Sequence, residues 1–296
     1  MSEISNVKLQ QAIGRPKAPA SHRRKDRLWP SFIIIALFIL CAVVGPFLLQ
    51  YDAVSTSTGD RLLPPGSVLS NGTTAILGTD QLGRDMLGQV IVGSRVTLAI
   101  AAATIVIAAT IGITLGLIAG YFGKAVDAVI MRIADLQLAF PGLLLAILIA
   151  GVLGPSIRNV IISLAITRWV TFARLARSMA LSMRELDYVS AAQLIGVPHR
   201  RILTRYLLPG AIPTLSVLAT VEVGSVVLSA AALSFLGLGV PLDVVDWGAT
   251  IANGRNYLLT AWWIGAMPGI ALSTLVLSVS VFGDRLQARM SDEISR

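Results

Sequence analysis

The sequence predicts an all-α integral membrane protein with six transmembrane helices and both termini in the cytoplasm. The first observation behind this prediction is composition. The 296 residues are 55% hydrophobic and only 14% charged, with a mean hydropathy of +0.76, whereas soluble domains carry about 25% charged residues. The second is a set of six apolar segments, each near the length of about 20 residues that an α-helix needs to cross a bilayer. The third is the distribution of lysine and arginine, which is concentrated in alternate connecting segments.

The apolar segments define the predicted organisation of the chain. Spans are predicted at residues 31–50, 94–119, 126–153, 157–178, 211–238 and 261–283. They divide the sequence into a basic cytoplasmic tail (1–30), a first transmembrane helix with an external segment (31–93), a core of five helices (94–286) and a cytoplasmic tail (287–296). The first apolar run is long for a signal peptide and lacks a small-residue exit, so it is predicted to remain as a helix. Ser, Thr, Gly, Asp and Pro are frequent after it, which predicts an external loop with short ordered pieces.

The basic residues predict the orientation. Of the 24 lysines and arginines, 18 fall in residues 1–30, 120–132, 174–206 and after 283, and five fall in the alternate connecting segments. Because cytoplasmic loops of membrane proteins carry the excess of Lys and Arg, the basic segments are predicted to be cytoplasmic. The net charge of +8 could also suggest nucleic acid. However, no basic run is interleaved with aromatic residues, so no nucleic-acid partner is predicted.

One cytoplasmic stretch, YVSAAQLIGVPHRRILTRYLLPG (188–210), is basic and lies between two apolar runs. Its first part favours a helix, and Gly196 suits a helix end with positive φ. Pro198 suits the start of a second helix, which is predicted to end at Leu208-Pro209. The small residues of the first helix favour close approach of another protein. The alternative is an amphipathic interfacial helix, which would more often be continuous and carry bulky apolar anchors.

The pattern Ala-Ala-x-x-x-Gly followed by Leu-Pro resembles the EAA loop of bacterial ABC importer permeases. Ser190 stands where that family has its leading Glu. The resemblance implies the type I ABC importer permease fold, in which this loop docks into an ATPase subunit. It implies a coupling loop over residues 184–209. The candidate coupling residues are Tyr188, Ser190, Ala191, Ala192, Gly196, Val197, Pro198, Leu208 and Pro209.

Four further stretches resemble one branch of that family, the dipeptide, oligopeptide and nickel importer permeases. They are LGTDQLGRDMLGQVIVGSRVTL (77–98), GYFGKAVDAVIMRIADLQLAFPGLLLAI (120–147), SFLGLGVPLDVVDWGATIANGRNYL (234–258) and AWWIGAMPGIALSTLVLSVSVFGDRLQARM (261–290). The branch implies the shorter of two permeases in a bacterial inner membrane. Its implied partners are a second, related permease, two cytoplasmic ATPase subunits and an external solute-binding protein. Di- or oligopeptides are the implied substrates, with nickel or another small solute as the alternative.

Motifs for other functions are missing from the sequence. There is no G-x-x-x-x-G-K-[ST] phosphate loop, so ATP is expected to bind another subunit. There is no HExxH motif and no close Cys/His cluster for zinc. The sequence therefore predicts no metal, no cofactor and no enzymatic activity. An ion-coupled secondary transporter is the second alternative, and it would carry its coupling site in broken spans.

Ionisable residues and prolines inside the predicted spans are the remaining candidates. Glu222, near the middle of the fifth span, and Arg168, in the fourth, are costly in a bilayer and usually functional. They are predicted either to line the translocation path or to be structural partners of polar groups on neighbouring helices. Pro141 and Pro268 are predicted to kink their spans. Such kinks are compatible with a gating hinge or with ordinary packing.

Overall fold

The computed structural model describes residues 29–48, 55–241 and 243–294, which form an almost entirely α-helical chain. Its helices are α1 (Trp29–Leu48), α2 (Met86–Phe122), α3 (Lys124–Leu138), α4 (Gly142–Leu153), α5 (Ile157–Met183), α6 (Asp187–Leu194), α7 (His199–Ile202), α8 (Leu208–Phe235), α9 (Trp247–Gly254) and α10 (Trp263–Ile294). A π-helical turn covers Leu203–Leu207, and 3₁₀ turns cover Thr58–Asp60 and Arg255–Tyr257. Strands β1 (Ser67–Val68) and β2 (Thr74–Ala75) pair antiparallel. Most of the predicted basic tail 1–30 lies outside the described residues.

Four helical stretches of the described chain are long and apolar enough to cross a membrane. They are Met86–Phe122, Ile157–Met183, His199–Phe235 and Trp263–Met290, and they correspond to the second, fourth, fifth and sixth predicted spans. The α3–α4 pair reaches spanning length only when its helices are taken together, because they are 15 and 12 residues long, and the two meet at a bend of 86°. The apolar part of α1, Trp29–Gly45, is shorter. The described residues therefore contain four candidate spans, or five when the bent pair counts as one.

The predicted third span, residues 126–153 with a kink at Pro141, consists of two separate helices in the structure. α3 ends at Leu138 and α4 begins at Gly142, with Pro141 as the N-cap of α4. A proline has no N–H with which to continue the preceding helix. It also disfavours α conformation in the residue before it, here Phe140. The chain therefore turns sharply at this point instead of continuing as one rod.

The prediction that the second helix of the basic stretch ends at Leu208-Pro209 is wrong. The helix continues into α8 through the π turn, where the N–H of Leu208 donates to the C=O of Leu203. A proline inside an α-helix loses its own backbone bond, and its ring crowds the carbonyl four residues earlier. The wider turn just before Pro209 relieves that crowding. Pro209 is thus accommodated in the first turn of α8.

The two helices α2 and α5 pack closely along a line of small residues. A Cβ added at Gly112, Gly116 or Gly120 of α2 would lie under 3.0 Å from atoms of α5. At Gly116 the obstructing atoms include the carbonyl oxygen of Ala173 and the Cβ of Ala176. Small residues let helices approach closely in a bilayer, where van der Waals packing replaces the hydrophobic effect. The α2–α5 pair therefore forms the rigid centre of the chain.

Helix α2 begins at Met86, upstream of the predicted residue 94. Asp85 is its N-cap, and the carboxylate accepts a hydrogen bond from the N–H of Gly88 at 2.9 Å. The first turns of α2 contact α9, since Nε1 of Trp247 donates to the C=O of Val90 at 2.9 Å. These turns extend the helix beyond its apolar part.

The segment between α1 and α2 contains short ordered pieces, as predicted, and it folds against the start of α10. The carboxylate of Asp60 is buried and accepts hydrogen bonds from Oγ and N–H of Ser70 (2.6 and 2.9 Å) and from Oγ of Ser57 (2.7 Å). These bonds, led by that from the Ser70 hydroxyl, lower the pKa of Asp60. Nε1 of Trp263 donates to the C=O of Thr79 at 3.0 Å. The segment is therefore fixed to the helical body by specific polar contacts.

Candidate coupling joint and translocation face

The break between α6 and α7 is a helix C-terminal cap. Gly196 has φ +79°, its N–H donates to the C=O of Gln193 (3.0 Å), and the N–H of Val197 donates to the C=O of Ala192 (3.0 Å). This pair of bonds is the Schellman arrangement, which requires a left-handed residue and so favours glycine. Pro198 follows as the N-cap of α7. The helix, turn and helix predicted for this stretch are present, and residues 187–202 are termed the joint below.

The joint has an inner face and an outer face. Val189 and Ala192 are buried against the rest of the chain, whereas Leu194 and Ile195 are 89% and 80% exposed. Of the two alanines expected to present a small outer face, only Ala191 is exposed. Ala192 packs inward because it follows Val189 by three residues and so shares its side of the helix. The outer face therefore presents two bulky apolar side chains beside one small one.

The other candidate coupling residues lie around this face or just beyond it. Ser190 is exposed in α6, and Tyr188 is half-exposed and stacks on Tyr206 with ring centroids 6.3 Å apart. Leu208 is half-buried and Pro209 is exposed, both in the first turn of α8. The fold thus brings most of the predicted residues together in the joint. Leu208 and Pro209 are separated from it by the π turn.

The end of α2 holds the joint, a contact that the sequence analysis missed. Oη of Tyr121 lies 2.7 Å from Nδ1 of His199, and Nε2 of Gln193 donates to the same oxygen at 3.4 Å. Nη1 of Arg184, at the end of α5, donates to the C=O of Gly120 at 3.1 Å. These partners are 64 to 78 residues apart in the chain, so only the tertiary fold brings them together. The only sequence signal for this contact was the position of Tyr121 at the end of an apolar span.

Arg168 and Glu222 meet across α5 and α8. Nη1 of Arg168 lies 3.2 Å from Oε2 of Glu222, and its Nη2 donates to Oγ of Ser229 at 2.8 Å. The two charged side chains retain 26% and 13% exposure. The pairing matches the hypothesis of structural partners on neighbouring helices. A role in lining the translocation path stays a prediction.

A polar face continues from this ion pair along α5. Thr171, Arg174, Ser178 and Ser182 are exposed and recur at intervals of three or four residues, which places them on one side of the helix. Ser225 of α8 is exposed as well. Polar groups on a membrane-spanning helix are costly against lipid and usually face water or another protein. These residues, together with the ion pair, are termed the polar face.

Two ion pairs hold α3 to α5. Arg177 contacts Asp127 through both Nε and Nη2, the second atom lying 2.6 Å from Oδ2. Nη2 of Arg174 lies 2.6 Å from Oδ1 of Asp135. Ala134 is the only buried residue of α3. Nε1 of Trp169 in α5 also donates to Oε1 of Gln137 in α3 at 2.8 Å. The position of α3 therefore depends on polar contacts more than on apolar packing.

The two candidate hinge prolines have different settings. Pro141 lies at the bend between α3 and α4, whereas Pro268 lies inside α10, near its start. Pro268 removes one backbone hydrogen bond from that helix. A hinge role for either proline stays a prediction. In the part of the chain that the structure describes, no three His, Cys, Asp or Glu side chains are grouped to hold a metal ion.

The fold is shared with a solved ABC transporter. A chain of the structure described as "Inward facing conformations of the MetNI methionine ABC transporter: CY5 native crystal form" matches with a TM-score of 0.55. The match covers 69% of this chain and 97% of that chain at 19% identity. The SeMet soak crystal form of that transporter matches with a TM-score of 0.54. The fold is therefore the type I ABC importer permease fold.

Residues 112–292 match the family described as "Binding-protein-dependent transport system inner membrane component", and the chain belongs to that family. It is 38% identical over 257 residues to the probable D,D-dipeptide transport system permease protein DdpC of Escherichia coli K12, covering 87% of this chain and 84% of that protein. It is 38% identical over 263 residues to the di/tripeptide permease protein DppC of Pseudomonas aeruginosa, covering 88% and 86%. It is 36% identical over 264 residues to the nickel permease protein NikC of Escherichia coli K12, covering 89% and 93%.

These relatives identify the class of transport protein to which the chain belongs. The chain is a permease subunit from the peptide and nickel branch of the ABC importers, and it resides in the bacterial inner membrane. It is not an enzyme, because its relatives are permease subunits and ATP hydrolysis belongs to a separate subunit. The ion-coupled secondary transporter is therefore set aside.

Proposed function

We propose that this chain is a peptide permease subunit whose joint docks into a cytoplasmic ATPase subunit. The outer face of the joint carries the proposal, because Leu194 and Ile195 are 89% and 80% exposed in a short helix outside the apolar spans. Adjacent exposed apolar side chains in a basic, polar segment favour a protein partner over water. The cap at Gly196 holds this pair at the tip of a rigid helix end.

The chain supplies half of a translocation pathway. The polar face supports this role, since exposed hydroxyl and charged groups on spanning helices suit a water-filled path or a subunit interface. A second, related permease supplies the other half. The α3–α4 pair offers that permease an apolar surface, with Val129 60% and Val152 80% exposed.

Di- or oligopeptides are the proposed substrates. Two of the relatives are named for D,D-dipeptides and for di- and tripeptides. Through the Arg168–Glu222 pair, the polar face contains both signs of charge, which suits a zwitterionic peptide. Nickel is the alternative substrate, supported by the similarity to the nickel permease protein. An external solute-binding protein delivers either substrate.

Six spans with both termini in the cytoplasm complete the proposed arrangement. The four long candidate spans, the bent α3–α4 pair and α1 together supply six crossings. The concentration of 18 of the 24 lysines and arginines in alternate segments supports a cytoplasmic joint. Two ATPase subunits bind on that side. Their closure moves the joint and rocks the spans between inward-open and outward-open states.

The proposal is tested by changing the outer face of the joint and measuring whether the folded permease still binds the ATPase subunits. The double variant Leu194→Asp, Ile195→Asp removes the apolar outer face while leaving the buried Val189 and Ala192 unchanged. We expect the tagged variant to lose the co-purifying ATPase subunits and substrate uptake, with the thermal stability of the isolated chain unaltered. The control is Leu259→Asp, because Leu259 is 101% exposed but lies between α9 and α10. Retention of the ATPase by the double variant would refute docking at this face.

A further inference from the structure

One phenol at the end of α2 contacts both helices of the joint. Oη of Tyr121 lies 2.7 Å from Nδ1 of His199, the first residue of α7. Nε2 of Gln193, in α6, donates to the same oxygen at 3.4 Å. The two partners lie on opposite sides of the turn at Gly196. A single hydroxyl therefore bridges the turn and ties both halves of the joint to α2.

Ring packing surrounds this hydroxyl. Tyr121 is buried, and its ring meets that of His199 edge-on with centroids 5.6 Å apart. Phe122 completes the cluster, with ring centroids 5.0 Å from Tyr121 and 5.5 Å from His199. In the tautomer with Nδ1 unprotonated, the phenol donates to His199 while accepting from Gln193. The contact is therefore a packed and directional attachment.

The attachment point belongs to the closely packed α2–α5 pair. Tyr121 follows Gly120, which fits against Ala180 of α5, and Arg184 donates to the C=O of Gly120 at 3.1 Å. A displacement applied at Tyr121 is thus passed to the α2–α5 pair as a whole, since close-packed helices move together. By contrast, the covalent route from α7 into α8 runs through the π turn, where the regular helical hydrogen-bond spacing is interrupted.

We propose that Tyr121 is a positioning residue that transmits movement of the joint to α2, with Gln193 and His199 as its two points of attachment. Among the described residues, both side-chain hydrogen bonds between α2 and the joint end on its hydroxyl. ATPase closure therefore drives α2 and α5 through this phenol, in addition to driving α8 through the chain. The inference rests on the proposed docking of the joint to the ATPase.

The first test measures coupling in the complete transporter reconstituted in proteoliposomes. Tyr121→Phe removes the hydroxyl and keeps the ring. We expect uptake per ATP hydrolysed to fall by at least about fivefold, the factor equivalent to the shorter of the two hydrogen bonds that the hydroxyl makes, with ATPase binding unchanged. The matched control is Tyr257→Phe, between α9 and α10, which should behave as the unmodified protein. Unchanged uptake per ATP in Tyr121→Phe would overturn the proposal.

Variants at the other end of the bond keep the test decisive if Tyr121→Phe folds poorly. His199→Asn retains a hydrogen-bonding atom near the position of Nδ1 and should keep most of the coupling. His199→Phe retains a ring without that atom and should reproduce the loss seen in Tyr121→Phe. Better coupling in His199→Phe than in His199→Asn would show that ring packing matters instead of the hydrogen bond, and equal coupling would show that the bond is dispensable; either result contradicts the proposal.

A distance measurement separates transmission from mere stability. Spin labels at Ala125→Cys and Arg201→Cys, in a Cys41→Ser background, report the separation between α7 and the start of α3, which follows the end of α2 after Gly123. We expect this distance to be the same with and without ATP when Tyr121 is present, and to change with ATP in Tyr121→Phe. Identical behaviour of both proteins would refute the link. If the docking proposal itself were wrong, Leu194→Asp, Ile195→Asp would keep the ATPase, so the two failures are distinguishable.

Discussion

The α2–α5 pair and the α3–α4 pair differ in how much of their surface is packed against the rest of this chain. In the first, glycines of α2 lie so close to α5 that an added Cβ would overlap atoms of the Ala173–Ala180 region. In the second, side chains such as Phe140, Leu148 and Val152 are 60–80% exposed, and ion pairs supply the attachment of α3 to α5. The contact between α2 and α5 is formed within this chain. Much of the apolar surface of the α3–α4 pair is instead exposed and available to another subunit.

Because their contacts differ, the two regions are suited to different roles. A close backbone approach through small residues gives many van der Waals contacts and resists deformation. Helix α3, attached to α5 mainly by ion pairs, can be repositioned at small energetic cost. The first is thus suited to move as one body when the joint moves. The second is suited to adapt to a neighbouring subunit.

The largest expected effect comes from filling the α2–α5 contact. Gly116→Leu places a side chain against the backbone carbonyl of Ala173, which cannot move aside. We expect a cost of about 3 kcal/mol or more, seen as loss of a monodisperse, detergent-solubilised chain. Gly151→Ala, in α4 with open space around its Cβ position, is the control and should be neutral or slightly stabilising. A stable Gly116→Leu protein would break the comparison.

A matched pair of valine substitutions tests the contrast at intermediate size. Val160 of α5 is fully buried, whereas Val152 of α4 is 80% exposed. Val160→Ala should destabilise the isolated chain by about 1–2 kcal/mol through lost packing. Val152→Ala should change it by less than about 0.5 kcal/mol. Thermal unfolding followed by fluorescence size-exclusion chromatography measures both, and equal shifts would contradict the proposed difference.

The smallest effect is expected at the charged attachment of α3. Asp127→Asn and Arg177→Gln each remove one partner of a half-exposed pair. A double-mutant cycle should give a coupling energy of about 1 kcal/mol, and the exchange Asp127→Arg, Arg177→Asp should recover part of it. Arg132→Gln is the control, because Arg132 makes no ion pair among the described residues. A coupling energy of zero would show that the Asp127–Arg177 pair does not hold α3 to α5.

Hydropathy and local turn chemistry predicted much of this fold. The runs of apolar residues identified the positions of α2, α5, α8 and α10 to within a few residues at most ends, because each is long enough to cross a bilayer. Gly196 and Pro198 predicted the helix, turn and helix of the joint. Both residues restrict their own backbone, so the signal is local and can be recognised without any knowledge of tertiary contacts.

Long-range contacts and proline geometry were beyond the sequence. Pro141 was expected to kink a continuous span, yet it separates two helices at 86°, and the π turn carries the chain past Pro209. Hydropathy is averaged over many residues, so it does not show where a single proline ends a helix or widens a turn. The partners of Glu222 and Tyr121 lie 54 and 72–78 residues away in the chain, so one sequence could suggest a polar role but not the contact.

The π turn at Leu203–Leu207 also determines how the joint is rotated around the axis of α8 relative to the Arg168–Glu222 ion pair. One residue of an α-helix corresponds to a rotation of about 100°. The π turn accommodates one more residue than an α turn does, so deleting a single residue from it would restore regular helical spacing with little rotation of the joint relative to Glu222. Deleting a residue from the regular helix between Leu208 and Glu222 would instead rotate the joint by about that angle, and so redirect its movement without altering any docking side chain.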